Sequence, residues 1–101
     1  MSPQRLLLTL VVPPALEDVL IDWLLSQSAV QEFTSQPVYG HSNRPDGLSH
    51  AEQVSARKKW IRFELHLLEQ DLHMILGELK REFPNRSIHY WILPVSDTGK
   101  I

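Results

Sequence analysis

The order of hydrophobic patterns constrains the fold of this chain more than any other feature of its sequence. Over 101 residues the patterns run strand, helix, strand, long polar loop, strand, helix, strand. This βαββαβ order is typical of the ferredoxin-like arrangement, in which a four-stranded antiparallel sheet carries two helices on one face. We therefore predict an α+β fold with one domain over residues 1–101, because a chain of this length provides one core of modest size.

The first half of the chain predicts a central strand, a helix and an edge strand. Leu6 to Val12 is a continuous apolar run that ends at two prolines, as expected of a strand covered on both faces. Apolar residues then repeat with helical period from Pro14 to about Ser26. Glu32 to Tyr39 predicts a strand that Pro37 places at the sheet edge, because proline cannot donate a ladder hydrogen bond. The residues of the predicted helical stripe are Leu16, Val19, Leu20, Trp23 and Leu24.

The second half repeats this pattern after a long loop. The residues from Gly40 to about Val54 are mostly polar, and a loop of this length in a small domain is usually functional or disordered. Arg57 to Leu68 alternates between apolar and polar residues and predicts the third strand. A helix capped by Asp71 follows and ends at Pro84, and Ser87 to Val95 predicts the fourth strand. The apolar stripe of this second helix is Leu72, Ile75, Leu76, Leu79 and Phe83.

One face of the predicted sheet lacks a helix and yet carries large apolar side chains. Trp60, Trp91 and Leu93 fall on this inner face together with polar groups. A monomer would leave the apolar patch in water, so we predict that self-association covers it. The predicted interface residues are Trp60, Arg62, Glu64, His66, His89 and Trp91.

Composition argues against several kinds of function. The sequence has no cysteine, so it offers no disulfide, thiolate metal site or cysteine nucleophile, and a reducing cytoplasm fits this composition. A formal charge of -2 gives no basic excess for nucleic acid, and the first strand lacks the aromatic residues of an RNA-binding sheet. No apolar run approaches the ~20 residues of a membrane helix, so we expect no membrane insertion.

Two groups of residues are candidate metal ligands. His41, His50 and Glu52 lie in or beside the long loop, and their side chains suit zinc, copper or nickel, although solvated loop residues are the plainer interpretation. His66 and His89 are predicted on the inner face. For strand order 4-1-3-2 we expect them at the same end of the sheet, two strand spacings or about 9–10 Å apart. Several subunits could then close a metal or proton-sensing site, or the histidines could simply be hydrogen-bonded at an interface.

The remaining candidate site is the basic run Arg57, Lys58 and Lys59 at the end of the loop. It could bind an anion such as a nucleotide phosphate in a cleft between subunits, or form a solvated strand edge. The turn at residues 81–87 has no glycine, and we therefore expect no phosphate cradle between the second helix and the fourth strand.

Four stretches carry a family resemblance: Leu8 to Glu17, Phe33 to His41, Ala51 to Val54 and His89 to Val95. They resemble a small bacterial family of PII-like proteins of unknown function, found beside heavy-metal efflux genes and similar in fold to nitrogen-regulatory PII and CutA-type divalent-cation tolerance proteins. The PII and CutA-type proteins are trimers whose sheets face inward. The resemblance implies a cytoplasmic, non-enzymatic homotrimer that regulates through a small ligand or metal ion. It also implies that loop 40–54 contacts a partner, such as a membrane efflux system.

An enzymatic alternative remains open on the residues alone. In dimeric α+β barrels, two such sheets close around a pocket. His66, His89 and Glu64 would then serve as acid and base, with Trp60 as a wall of the pocket. A trimer would favour the regulator and a dimer the enzyme, while the cofactor stays unknown in both cases.

Overall fold

The secondary structure follows the predicted order in a computed structural model that describes residues 4–42 and 57–101. A short 3-10 turn at Pro14–Leu16 precedes the first helix. The α+β, ferredoxin-like class is therefore confirmed. The strands and helices are β1 (Arg5–Val12), α1 (Glu17–Ser26), β2 (Thr34–His41), β3 (Arg57–Leu68), α2 (Glu69–Glu82) and β4 (His89–Val95).

The sheet has the order β2-β3-β1-β4, and every neighbouring pair is antiparallel. The apolar strand β1 is central and β2 lies at an edge, as its proline indicates. Residues 61–68 of β3 pair with β1, whereas residues 57–60 pair only with β2. Residues 38–41 and 57–60 therefore extend past the end of β1 as a two-stranded segment, which we call the β2–β3 ribbon.

The core lies between the helices and one face of the central strands. Leu8, Leu10 and Phe63 are completely buried there, and Phe33 packs against Phe63 with ring centroids 6.1 Å apart. Full burial of each of these side chains stabilises the folded state by about 1.5–3 kcal/mol. Strand alternation thus produces the core from residues at every second position of β1 and β3.

Helix α1 packs through a narrower stripe than the sequence predicts. Leu16, Leu20 and Leu24 are buried, whereas Val19 is 48% exposed and its predicted place in the core is wrong. Val19 lies about 100° around the helix from Leu20, on the flank away from the sheet. Ile21 packs against the core instead, from the opposite flank.

Helix α2 begins earlier than predicted. Its N-cap is Leu68 in extended backbone, so Asp71 lies inside the first turn and the predicted Asp71 cap is wrong. A carboxylate in the first turn still interacts favourably with the helix dipole. The predicted stripe is buried from Leu72 to Leu79, and Phe83 contacts Trp23 edge-to-face at 5.9 Å between ring centroids.

Truncation of the central aromatic residue tests this core. Phe63→Ala should lower the free energy of unfolding by about 3–5 kcal/mol, because it removes a fully buried ring and leaves a cavity. Met74→Ala is the matched control, since Met74 is 52% exposed and should change stability by no more than about 0.5 kcal/mol. Urea unfolding followed by far-UV circular dichroism measures both values. Equal effects would contradict the assignment of the core.

Candidate functional site

The face of the sheet opposite the helices, which we call the open face, is the most distinctive surface of the described residues. Trp91 is 47% exposed and Leu93 is 51% exposed on this face. The register and the strand alternation place there all six residues that the sequence assigns to the inner face: Trp60, Arg62, Glu64, His66, His89 and Trp91. Their role as an interface stays a prediction.

Trp60 connects three strands at the loop end of the open face. Its indole ring meets the His89 imidazole of β4 edge-on, with centroids 5.4 Å apart and an interplanar angle of 81°. The Lys58 Nζ lies 4.8 Å from the centroid of the same ring. On β2, a Cβ at Gly40 would lie only 2.9 Å from the indole Nε1. Glycine at position 40 therefore permits the close approach of Trp60.

A groove of about 660 Å³ surrounds this indole ring, and we call it the Trp60 groove. Its size falls within the range of small-molecule sites. The projecting β2–β3 ribbon forms one side, and the beginning of β4 forms the other. The residues that line it are Val11, Val38, Tyr39, Gly40, Trp60, Arg62, His89, Tyr90 and Trp91.

Arg62 and Glu64 form an ion pair on the same face of β3. The Arg62 Nε lies 3.2 Å from the Glu64 Oε1, and both side chains are 37% exposed. The Nε atom itself is buried, and no acceptor among the described residues meets it with hydrogen-bond geometry. The neighbouring carboxylate therefore compensates the charge of Arg62 but does not satisfy its buried donor.

The predicted proximity of His66 and His89 is wrong. His66 lies opposite Leu7 of β1, whereas His89 lies opposite Val11. Because β3 and β4 are both antiparallel to β1, they run parallel to each other, and the end of β3 is far from the beginning of β4. His66 and His89 are therefore offset by four positions, or about 13–14 Å, along the strand direction. This offset comes in addition to the distance between β3 and β4 across the sheet. The aromatic neighbour of His89 is Trp60 instead.

The proposed metal ligands of the loop are only partly described. His41 is the exposed last residue of β2, while His50 and Glu52 lie outside the described residues. Within residues 4–42 and 57–101, no three histidine or acidic side chains are grouped so that they could hold a metal ion. The metal site with His41, His50 and Glu52 therefore stays a prediction.

The basic run is divided between the two faces of the β2–β3 ribbon. The Arg57 guanidinium lies 4.5 Å from the centroid of the Tyr39 ring, on the side of the helices. Lys58 lies over Trp60 on the open face, and strand alternation places Lys59 on the same side as Arg57. The three cations therefore do not converge on one anion within a subunit, and their anion site stays a prediction.

Sequence reasoning missed the conformation of the turn before β4. Asn85 and Ser87 adopt left-handed backbone conformations, with φ of 57° and 58°. Glycine is the usual residue in this region, and asparagine is among those that tolerate it best. The turn covers a cavity of about 370 Å³ next to Tyr90, where the Lys80 Nζ lies 5.4 Å from the ring centroid. An absence of glycine in the sequence therefore does not exclude a tightly curved backbone here.

Both helices of the described segments are too short or too polar to cross a bilayer.

Comparison with solved structures places the fold among PII-like and CutA proteins. A DUF3240 family protein from Shewanella baltica has 20% identity and a TM-score of 0.78, with 100% of this chain and 99% of that chain covered. CPII from Thiomonas intermedia, a nitrogen regulatory PII-like protein bound to ADP, AMP and bicarbonate, has 17% identity and a TM-score of 0.68, with 99% and 98% covered. The periplasmic divalent cation tolerance protein CutA from Archaeoglobus fulgidus has 8% identity and a TM-score of 0.70, with 95% and 88% covered.

The family itself is shown by the sequence. Residues 1–101 match the profile of DUF3240, a protein family of unknown function, and the chain belongs to this family. No curated protein matches the sequence. The PII-like fold is therefore established, whereas the link to heavy-metal efflux genes is an implication of the resemblance only.

The contact between Gly40 and Trp60 can be tested by adding one methyl group. Gly40→Ala should destabilise the protein by about 1–3 kcal/mol, because the new Cβ would lie 2.9 Å from the indole unless Trp60 moves. Gly77→Ala is the control, since Gly77 is an exposed residue of α2 with open space around it. This variant should stabilise the protein by about 0.5–1 kcal/mol. Urea unfolding and near-UV circular dichroism report the two effects. Unchanged stability and aromatic spectra in Gly40→Ala would contradict the contact.

Proposed function

We propose that this protein is a non-enzymatic, cytoplasmic, PII-like regulator that acts as a homotrimer. The observation that carries the proposal is the open face, where Trp91 and Leu93 remain about half exposed. Leu7 and Val11 of the central strand are also only partly covered on this side, although both side chains are apolar. Contact between copies would bury this surface, in agreement with the trimers that the PII-like resemblance implies.

The edges of the sheet provide independent support for association. Natural proteins protect edge strands with charged side chains and with proline, and each edge strand here has one proline, Pro37 or Pro94. Here Thr34–His41 and His89–Val95, the two edge strands, contain no Asp, Glu, Lys or Arg, whereas the inner strand β3 contains five. Pairing of β2 in one copy with β4 in the next would use both edges. Head-to-tail contacts form a closed ring when the rotation from one copy to the next is that of a ring, and a ring of three agrees with the trimers that the PII-like resemblance implies.

The geometry gives little support to the enzymatic alternative. A catalytic pair needs its groups within hydrogen-bond reach of one substrate. His66 and His89 lie in different rows of the open face, separated by four positions along β1. Glu64 is next to Arg62 rather than either histidine. We therefore assign the regulatory function, in which ligand binding alters contacts of loop 40–54 with a partner, including a membrane efflux system.

The oligomeric state tests the proposed function directly. Native mass spectrometry of the purified protein should give a trimer. Leu93→Glu should shift it to monomers, because a carboxylate on the open face would be buried without a partner.

Leu25→Glu is the control for this experiment. Leu25 is 64% exposed on helix α1, away from the open face, so this variant should remain trimeric. A dimer of the unmodified protein would contradict the regulator and favour the barrel enzyme.

Cysteine cross-linking tests the pairing of the edges, and the cysteine-free sequence makes the reaction specific. Gln36→Cys is combined in turn with His89→Cys, Trp91→Cys and Leu93→Cys, which sample three registers on the open face. We expect one combination to give covalent dimers and trimers on non-reducing gels, because β2 and β4 would lie at about 5 Å spacing. Each single variant should stay monomeric on the gel. Efficient dimers from a single variant would instead indicate symmetric pairing of identical edges.

A further inference from the structure

The chemistry of the Trp60 groove indicates which kind of molecule it accepts. Among the described residues that line it, no side chain is a carboxylate. Tryptophan and arginine side chains only donate hydrogen bonds, while histidine can donate them. The polar side chains of the lining that lie on the open face are Trp60, Arg62, His89 and Trp91, whereas strand alternation places the side chains of Tyr39 and Tyr90 on the other face. A ligand complementary to this surface must therefore carry hydrogen-bond acceptors.

The hydrogen-bond donors of the groove favour an anion of low charge. Arg62 contributes a guanidinium to the lining, whereas Glu64, whose Oε1 lies 3.2 Å from the Arg62 Nε, is not among the lining residues. A guanidinium has five N–H donors, so the neighbouring Glu64 carboxylate does not exhaust them. The planar fork of arginine matches the two oxygens of a carboxylate. A highly charged phosphate would need more cations than Arg62 and Lys58, but Arg57 and Lys59 lie on the other face of the ribbon.

The aromatic side chains define the rest of the ligand. Trp60 and Trp91 present their rings to the groove, and aromatic rings prefer offset or edge-on contacts with other rings. A cationic ligand is disfavoured, because Lys58 already lies over the Trp60 ring and Arg62 is close by. We propose that the Trp60 groove binds a small aromatic carboxylate, whose ring packs against an indole and whose carboxylate accepts hydrogen bonds from Arg62. This inference rests on the proposed regulatory function, for which it names the ligand class.

Isothermal titration calorimetry with three probes of the same shape tests the ligand class. Benzoate should bind, benzamide should bind at least roughly tenfold more weakly because it lacks the charge that pairs with Arg62, and benzylamine should show no binding. Similar affinities for benzoate and benzamide would overturn the proposal. So would displacement of benzoate by ADP at equal concentration, because the groove would then prefer a phosphate ligand.

Variants locate the site within the protein. Arg62→Gln combined with Glu64→Gln removes the guanidinium without leaving a lone carboxylate, and should weaken benzoate binding roughly tenfold or more. Trp60→Leu should weaken it several-fold, since the ring contact is lost. Arg86→Gln is the matched control, because Arg86 is an exposed arginine outside the groove. Equal loss in Arg86→Gln, or no loss in the double variant, would contradict the assignment.

Native mass spectrometry of the same samples separates this inference from the proposed function. A trimer with the expected benzoate selectivity supports both. A trimer that does not bind benzoate overturns the ligand assignment and leaves the trimeric regulator standing. A monomer or dimer that binds benzoate through Arg62 overturns the trimer and leaves the groove assignment standing.

Discussion

Two helices cover only one face of the sheet, and the rest of the molecule depends on this constraint. In a βαββαβ chain both crossovers return to the same side, so Leu8, Leu10 and Phe63 are fully buried there. The same strands must place their alternate residues on the open face. Trp91 and Leu93 are thus exposed because of the topology, although their side chains are as apolar as those of the core.

Sequence periodicity predicted the fold well, because period two and period 3.6 report directly on burial. The predicted and observed bounds of β3 are both Arg57–Leu68. The predictions that were wrong concern positions that depend on how strands and helices are arranged relative to one another. The separation of His66 and His89 depends on strand direction, and the exposure of Val19 depends on which helical flank faces the sheet. Neither relation is contained in the local pattern of hydrophobic residues.

The candidate site was predicted less completely than the fold. The sequence indicated which residues share the open face, since alternation alone determines it. It did not indicate that Trp60 would reach across β1 to His89, because this depends on the direction of a side chain and on the space that Gly40 leaves free. The left-handed conformations of Asn85 and Ser87 were also missed, since residues other than glycine rarely adopt them.

The extension of the β2–β3 ribbon past β1 gives this molecule a mechanical property. Four residue positions of each strand project beyond the sheet, a length of about 13 Å. The Trp60 ring lies at the base of this lever, between Gly40 on the ribbon and His89 on β4. A rotation of about 10° at that base displaces the far end by roughly 2 Å for a lever of this length. Any displacement of the indole ring that rotated this base would therefore be larger at His41 and Arg57, the far end of the ribbon.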